Sequence, residues 1–147
     1  MEKGFSYIIL RNMEVYGKYM AKHKIYRRLC ESCLNKEKDF KIEGDGKNFL
    51  DTMYIDDYIE GMIKVINSNL KNEIIDFCKS EPVTLKQLAG TIKNVFENPD
   101  FKLACGGIPT ENTKFKLGNE KMKQLLDFHP KTSLEKGLKL WKSEGLK

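Results

Sequence analysis

Long apolar runs are missing from this chain. The longest, Tyr7 to Leu10, has four residues, against the ~18 that a membrane helix needs. A helical membrane span is therefore excluded. The opening Met1-Glu2-Lys3-Gly4-Phe5 has no basic stretch followed by an apolar core, so a cleaved secretory leader is not expected. Cysteine is sparse, four in 147 residues, too few for a disulfide scaffold. The sequence thus predicts a reduced, cytoplasmic setting. Glycine-rich phosphate loops are also absent. Gly44-Asp45-Gly46 lacks a third glycine on spacing and no helix-like stretch follows it, and no P-loop occurs. No repeat or low-complexity tract is present.

What remains is an ordinary globular composition, 40% hydrophobic and 32% charged. The length fits one domain or one lobe. The net charge of +5 is unevenly spread. Residues 1–50 carry 11 basic and 7 acidic groups, residues 51–100 carry 5 and 9, and residues 101–147 carry 10 and 5. The acidic middle argues against a nucleic-acid partner, which favours concentrated basic charge. It leaves room for a smaller phosphate-bearing ligand.

Periodicity gives an α/β order. The run at Phe5–Arg11 has no polar alternation and reads as a strand buried on both faces. A loop over residues 12–23 and a helix over 24–36 follow, then a strand at Phe40–Ile42. Gly44–Lys47 forms a turn, and Thr52–Ile55 is extended. A helix after Asp56, which can cap it, carries the stripe Ile59, Met62, Ile63, Ile66. Glu73–Phe77 is a strand. Thr84 and Gln87 form a capping box, as do Thr132 and Glu135. Phe101–Ala104 is a strand, and Asn119 opens another helix.

Single motifs carry little chemistry. Cys30-Glu31-Ser32-Cys33 has CxxC spacing, but it falls inside a helix and no second cysteine pair completes a zinc site. No metal site is assigned. His23 and His129 have no nucleophile elbow to serve. Asp56, Asp57 and Glu60 are placed as helix-start acids rather than cation ligands. The basic, aromatic-dotted stretch Tyr16–Arg28 has no accompanying RNA-binding motif.

A resemblance emerges from the order of several short motifs. They are Ile9-Leu10-Arg11, Val15-Tyr16-Gly17, Gly44-Asp45-Gly46-Lys47, Asp51, and Tyr54-Ile55-Asp56-Asp57. Further on come Val83-Thr84-Leu85 and the tail from Lys121 through Phe128-His129-Pro130 to Leu138. Together they resemble the C-terminal part of the NAD-dependent epimerase/dehydratase family, the extended short-chain dehydrogenases that act on nucleotide sugars. The family's cofactor loop and Tyr-x-x-x-Lys pair have no counterpart here, since no tyrosine is followed four residues later by lysine.

The resemblance implies a fold class: α/β, the C-terminal portion of a Rossmann-like dehydrogenase. One buried parallel strand would join a small mixed α/β substrate lobe. Residues 1–147 would form a single lobe, with 5–22 closing the nucleotide-binding sheet and 23–147 forming the substrate-binding lobe. The implied function is the substrate-binding half of a nucleotide-sugar epimerase or dehydratase, catalytically incomplete alone. The alternative is a non-catalytic interaction or oligomerisation module. No catalytic residue is assigned. Asn12 and Met13 would approach the nicotinamide, and Glu14, Lys18, Lys47 and Leu50 the substrate. NAD(P) is expected only with a further N-terminal half, and none for this chain alone. A nucleotide sugar and a protein partner or second copy are the expected partners.

Four positions depart from the family pattern. Glu14 stands where asparagine is usual, Leu50 where arginine is usual, and Lys18 where proline follows Tyr-Gly. An arginine expected near Gly107 is also absent. Lys18, Lys47, Lys114 and Lys116 can supply point charges in place of bidentate arginine forks.

Overall fold

The computed structural model describes residues 4–107 and 118–146. Lys114 and Lys116 lie outside the described residues. The chain forms β1 (Ile8–Asn12), β2 (Glu14–Tyr16), α1 (Ile25–Leu34), β3 (Asp39–Glu43), β4 (Phe49–Leu50), β5 (Thr52–Tyr54) and α2 (Ile55–Ile66). Then come β6 (Glu73–Phe77), β7 (Val83–Thr84), α3 (Leu85–Val95), β8 (Lys102–Gly106), α4 (Glu120–Leu126) and α5 (Leu134–Ser143). The strands pair as four two-stranded ladders. β1–β6, β2–β5 and β3–β8 are parallel, and β4–β7 is antiparallel.

This corrects the expected fold class. Parallel pairing is not confined to one strand beside a mixed lobe. A Rossmann-like parallel α/β arrangement recurs along the chain, because each parallel partner is reached through a helix-bearing crossover. These pairings join residues far apart in sequence, which periodicity does not register. β1 itself is not buried on both faces. Ile8 and Leu10 pack inward, whereas Tyr7 and Ile9 are exposed. An unbroken apolar run shows only that both faces can be covered, and here one is.

Two clusters make the core. The larger gathers Tyr16, Tyr26, Leu29, Tyr54, Leu88, Ile92, Phe96, Leu138 and Trp141 between α1, α3, α5 and the β2–β5 ladder. Tyr16 sits at its centre, 5.2 Å from the Tyr26 ring, 5.5 Å from Tyr54 and 6.4 Å from Trp141. The smaller places Val65 of α2 and Met122 and Leu126 of α4 against Ile75 and Phe77 of β6.

α2 forms where periodicity puts it but faces the other way. Ile59, Ile63 and Ile66 point outward, and the buried side is Asp57, Gly61 and Val65. The cause is close approach. A Cβ on Gly61 would meet the Phe77 ring and lie 2.7 Å from Phe128, so glycine lets the helix settle on two aromatic rings. Asp56 does not cap α2. The cap position is Tyr54, and Asp57 accepts hydrogen bonds from Thr132 N (2.8 Å) and Thr132 Oγ1 (2.9 Å). That contact occupies Thr132, so Ser133 caps α5 instead. Asn119 caps nothing with its side chain; its amide donates to Cys78 O and Lys79 O. The Thr84–Gln87 capping box forms as expected. β2 emerges from the stretch expected as a loop, being only three residues long.

The two helical glycines of contrasting surroundings give a direct test. Gly61→Ala is expected to destabilise the fold by about 2 kcal/mol net, since overpacking costs ~1–3 kcal/mol and exceeds the helix-propensity gain. Gly90→Ala, with nothing within 4 Å of the added Cβ, is expected to stabilise by about 0.5–1 kcal/mol. Urea unfolding of the two variants checks both signs.

Candidate functional site

The β2–α2 region positions the site. β2 runs parallel to β5 with Glu14 opposite Thr52 and Tyr16 opposite Tyr54. The chain leaves β2 through Gly17, whose φ of 133° and closeness to Ile55 exclude a side chain. The loop from Gly17 to Met20 then folds back over the start of α2. Between them lies a cavity of about 460 Å³, walled by Tyr16, Lys18, Tyr19, Met20, Asp56 and Ile59 among others. Pockets for small organic ligands span roughly 300–1,000 Å³. The walls are mostly apolar, with one cation and one carboxylate. Lys18 Nζ lies 5.3 Å from the Tyr19 ring centroid, and Tyr19 is itself largely exposed.

The sequence-predicted residues do not all converge on this cavity. Lys18 is part of it. Glu14 stands at the opposite end of β2 and pairs with Lys24 at 3.2 Å, which offsets part of its charge. Asn12 ends β1, exposed, and Met13 is half-buried between β1 and β2. Leu50 ends β4, two residues before Thr52, so the β2–β5 ladder brings it to the Glu14 end. Lys47 lies on the Gly44–Lys47 turn, 3.5 Å from Asp45, beside the start of α3, where Lys86 N donates to Gly46 O. Tyr19, Ile55 and Ile59 have no site role in the sequence reading, since only the fold turns them toward one space.

A buried polar group stands behind the ladder. Asp51 is 1% exposed. Its Oδ2 accepts from Ser80 N at 2.8 Å, while Oδ1 has no hydrogen-bond partner among the described residues. Loss of hydration pushes its pKa above the usual carboxylate range, against the backbone N–H groups of the 80–81 segment that pull it down. Burial also raises the thiols of Cys30 and Cys33 inside α1, and pushes Cys78 up to about 12. Among the described residues, no group of three or more His, Cys, Asp or Glu side chains is arranged to hold a metal ion, and no helix is long and apolar enough to cross a membrane.

The family model of the NAD-dependent epimerase/dehydratase family matches residues 1–78. The chain belongs to this family. It is 28% identical over 136 residues to the uncharacterized UDP-glucose epimerase YtcB of Bacillus subtilis, covering 92% of this chain and 43% of that protein. Its structure is similar to the UDP-glucose 4-epimerase of Thermotoga maritima solved with UDP-glucose, with a TM-score of 0.86, 26% identity, and coverage of 99% of this chain and 48% of that one. The UDP-glucuronic acid 4-epimerase of Bacillus cereus, solved with UDP-glucuronic acid and NAD, gives a TM-score of 0.79 at 23% identity, covering 95% and 46%, and shows the shared fold. The chain spans about half the length of these relatives.

These matches correct three sequence-based expectations. The likeness is not restricted to a C-terminal portion, since the family model matches from residue 1 and the structural alignment spans 99% of the chain. The readings as a catalytically incomplete half or a non-catalytic module are therefore not kept. The expectation that this chain alone takes no cofactor is withdrawn as well, since the chain belongs to the NAD-dependent epimerase/dehydratase family. The joints Tyr54–Ile55 and Thr84–Leu85 pass from strand to helix without a glycine, and the first amides of α3 are taken by Asn48 O, Gly46 O and Thr84 Oγ1. These joints do not form a pyrophosphate cradle.

The raised pKa of Asp51 has a definite pH signature. A carboxyl raised in the folded state holds its proton more tightly there than in the unfolded chain. Its contribution to stability is then present below the ordinary Asp pKa of about 3.9 and is lost as pH rises through the raised folded value. Asp51→Asn is expected to flatten the stability–pH curve across that window. Parallel curves for the two proteins would show that Asp51 titrates normally.

Proposed function

We propose that the protein serves NAD-dependent epimerase or dehydratase chemistry on a nucleotide-linked sugar, and that this chain binds the sugar nucleotide around β2. The observation that carries the reading is the match over nearly the whole chain to an epimerase solved with UDP-glucose. The site chemistry supports it. Lys18 offers a point charge for a phosphate at the cavity rim, and the exposed ring of Tyr19 suits a sugar or base. Lys47 and Leu50 on the β4 side, and Glu14 at the other end of β2, are assigned to the outer part of the bound sugar nucleotide, away from the cavity.

Glu14 and Leu50 set this site apart within the family. A carboxylate and an aliphatic side chain replace two groups that would bind phosphate oxygen, so anion binding rests on lysines. Point charges bind phosphate with less directional constraint than arginine forks and are screened by salt. Affinity for the diphosphate is accordingly salt-sensitive. NAD, when bound, supplies a hydride acceptor. Asn12, at the exposed end of β1, and Met13, half-buried beyond it, are the residues that would lie toward a nicotinamide, and no group is assigned as catalytic.

Calorimetric titration with UDP-glucose, UDP and NAD as separate titrants tests the reading. UDP-glucose is expected to bind, more weakly as salt is raised. Lys18→Ala should weaken it about tenfold, the loss of one charge-assisted contact. Glu14→Asn should tighten it severalfold by removing a like charge. Absence of binding by both UDP-glucose and UDP would overturn the proposal.

A further inference from the structure

Glu14 and Lys24 form an ion pair that contributes little to the fold. Lys24 Nζ lies 3.2 Å from Glu14 Oε1 and 3.3 Å from Oε2, so one ammonium sits against both oxygens of one carboxylate. The side chains are 32% and 44% exposed, and a pair so open to water adds little stability. Lys24 is also the N-cap residue of α1, with no side-chain cap hydrogen bond. A cation is disfavoured at that end of a helix. Neither residue is placed for the good of its own element.

The pair has hydrogen-bonding capacity to spare. An ionised carboxylate offers about four acceptor positions and an ammonium three N–H groups. Their mutual contact engages two of each at most. At least two acceptor positions and one donor are left, all on charged groups, whose hydrogen bonds are the strong ones. Two neighbouring hydroxyls match that set, each donating to the carboxylate while one oxygen accepts from the ammonium. Half-buried Leu50 comes to the same end of the β2–β5 ladder and offers an aliphatic side to the C–H face of a sugar ring. The Tyr26 hydroxyl nearby is already committed to Thr52 Oγ1 at 2.7 Å.

We propose that the Glu14–Lys24 pair determines sugar specificity: it accepts a hexose that carries only hydroxyls and rejects one that carries a carboxylate. This role rests on the proposal that the chain binds a sugar nucleotide. In such a ligand the diphosphate separates sugar from nucleoside. Lys18 takes a phosphate, and Glu14 lies about 10 Å from the Gly17 turn along extended chain. Asn12 and Met13, on the Glu14 side, are the residues toward a nicotinamide, and the sugar is the part of the substrate that meets the hydride acceptor. Glu14 therefore stands beside the sugar. A neutral hydroxyl leaves the ion pair intact. A uronate carboxylate sets a second negative charge against Glu14, and Lys24 can hold it only by leaving Glu14 unpaired beside a like charge.

Calorimetric titration of the full chain with UDP, UDP-glucose and UDP-glucuronic acid gives a ratio of affinities in which the shared diphosphate cancels. The wild type is expected to bind UDP-glucose about tenfold or more tighter than UDP-glucuronic acid. Glu14→Gln keeps an acceptor, removes the charge and frees Lys24, so the ratio should fall to about one or below. Lys24→Gln leaves Glu14 unneutralised and should widen the ratio severalfold. A folding defect would weaken both sugar nucleotides together and would not move the ratio in opposite directions. A wild-type ratio near one, or a ratio that both variants leave unchanged, overturns this role for the pair while sugar-nucleotide binding stands. Absence of binding by all three titrants overturns sugar-nucleotide binding and this role with it.

Discussion

Everything around the site is referred to the ring of Tyr16. It ends β2, stacks on Tyr26 from α1, meets Tyr54 at the end of β5 and reaches Trp141 of α5. Its hydroxyl donates to Leu134 O at 3.3 Å. α5 can come this close only because residue 137 is glycine, where a Cβ would run into the Tyr16 hydroxyl. Burial raises the Tyr16 pKa far above its ordinary value, so the phenol stays protonated and remains a donor. One side chain thereby fixes β2, β5, α1 and α5 relative to one another, and the Gly17–Met20 loop leaves from that fixed point.

The Asp57–Thr132 contact does similar work between α2 and the segment before α5. Two hydrogen bonds to a buried carboxylate, one from backbone and one from side chain, tie residues 75 apart in sequence. Removing either partner would leave a buried polar group unpaired, which typically costs ~1–3 kcal/mol. Together with Gly61 on its aromatic seat, this contact sets which side of α2 is buried. The wall of the cavity and the outward isoleucine stripe are both consequences of that setting.

Much of the local structure could be read from the sequence, and the reason is that its signals are short-range. The Glu73–Phe77 strand and the Thr84–Gln87 capping box depend on neighbours within a few residues. α2 was visible as a helix but not in its rotation. Its apolar period marks the Ile59–Ile63–Ile66 face, while the face that packs is marked by a glycine and an aspartate. Neither residue type announces burial; only Phe77, Phe128 and Thr132, brought in from elsewhere, make that side the inner one. One wall residue of the cavity was visible for the same reason. Lys18 sits in a local motif beside Tyr16-Gly17, whereas Tyr19, Ile55 and Ile59 acquire a common purpose only once β2 and β5 pair.

The parallel ladders have a consequence for how the chain reaches this structure. β1 meets β6, and β3 meets β8, across intervals of sixty-odd residues. No hairpin shortens either search. Closing such loops costs entropy before any ladder contact returns it, and non-local topologies assemble slowly for that reason. During the delay α1, α2 and α3 have no sheet to rest on, and the apolar β1 segment is open to any extended chain it meets. Yield on refolding is therefore governed by protein concentration as much as by final stability.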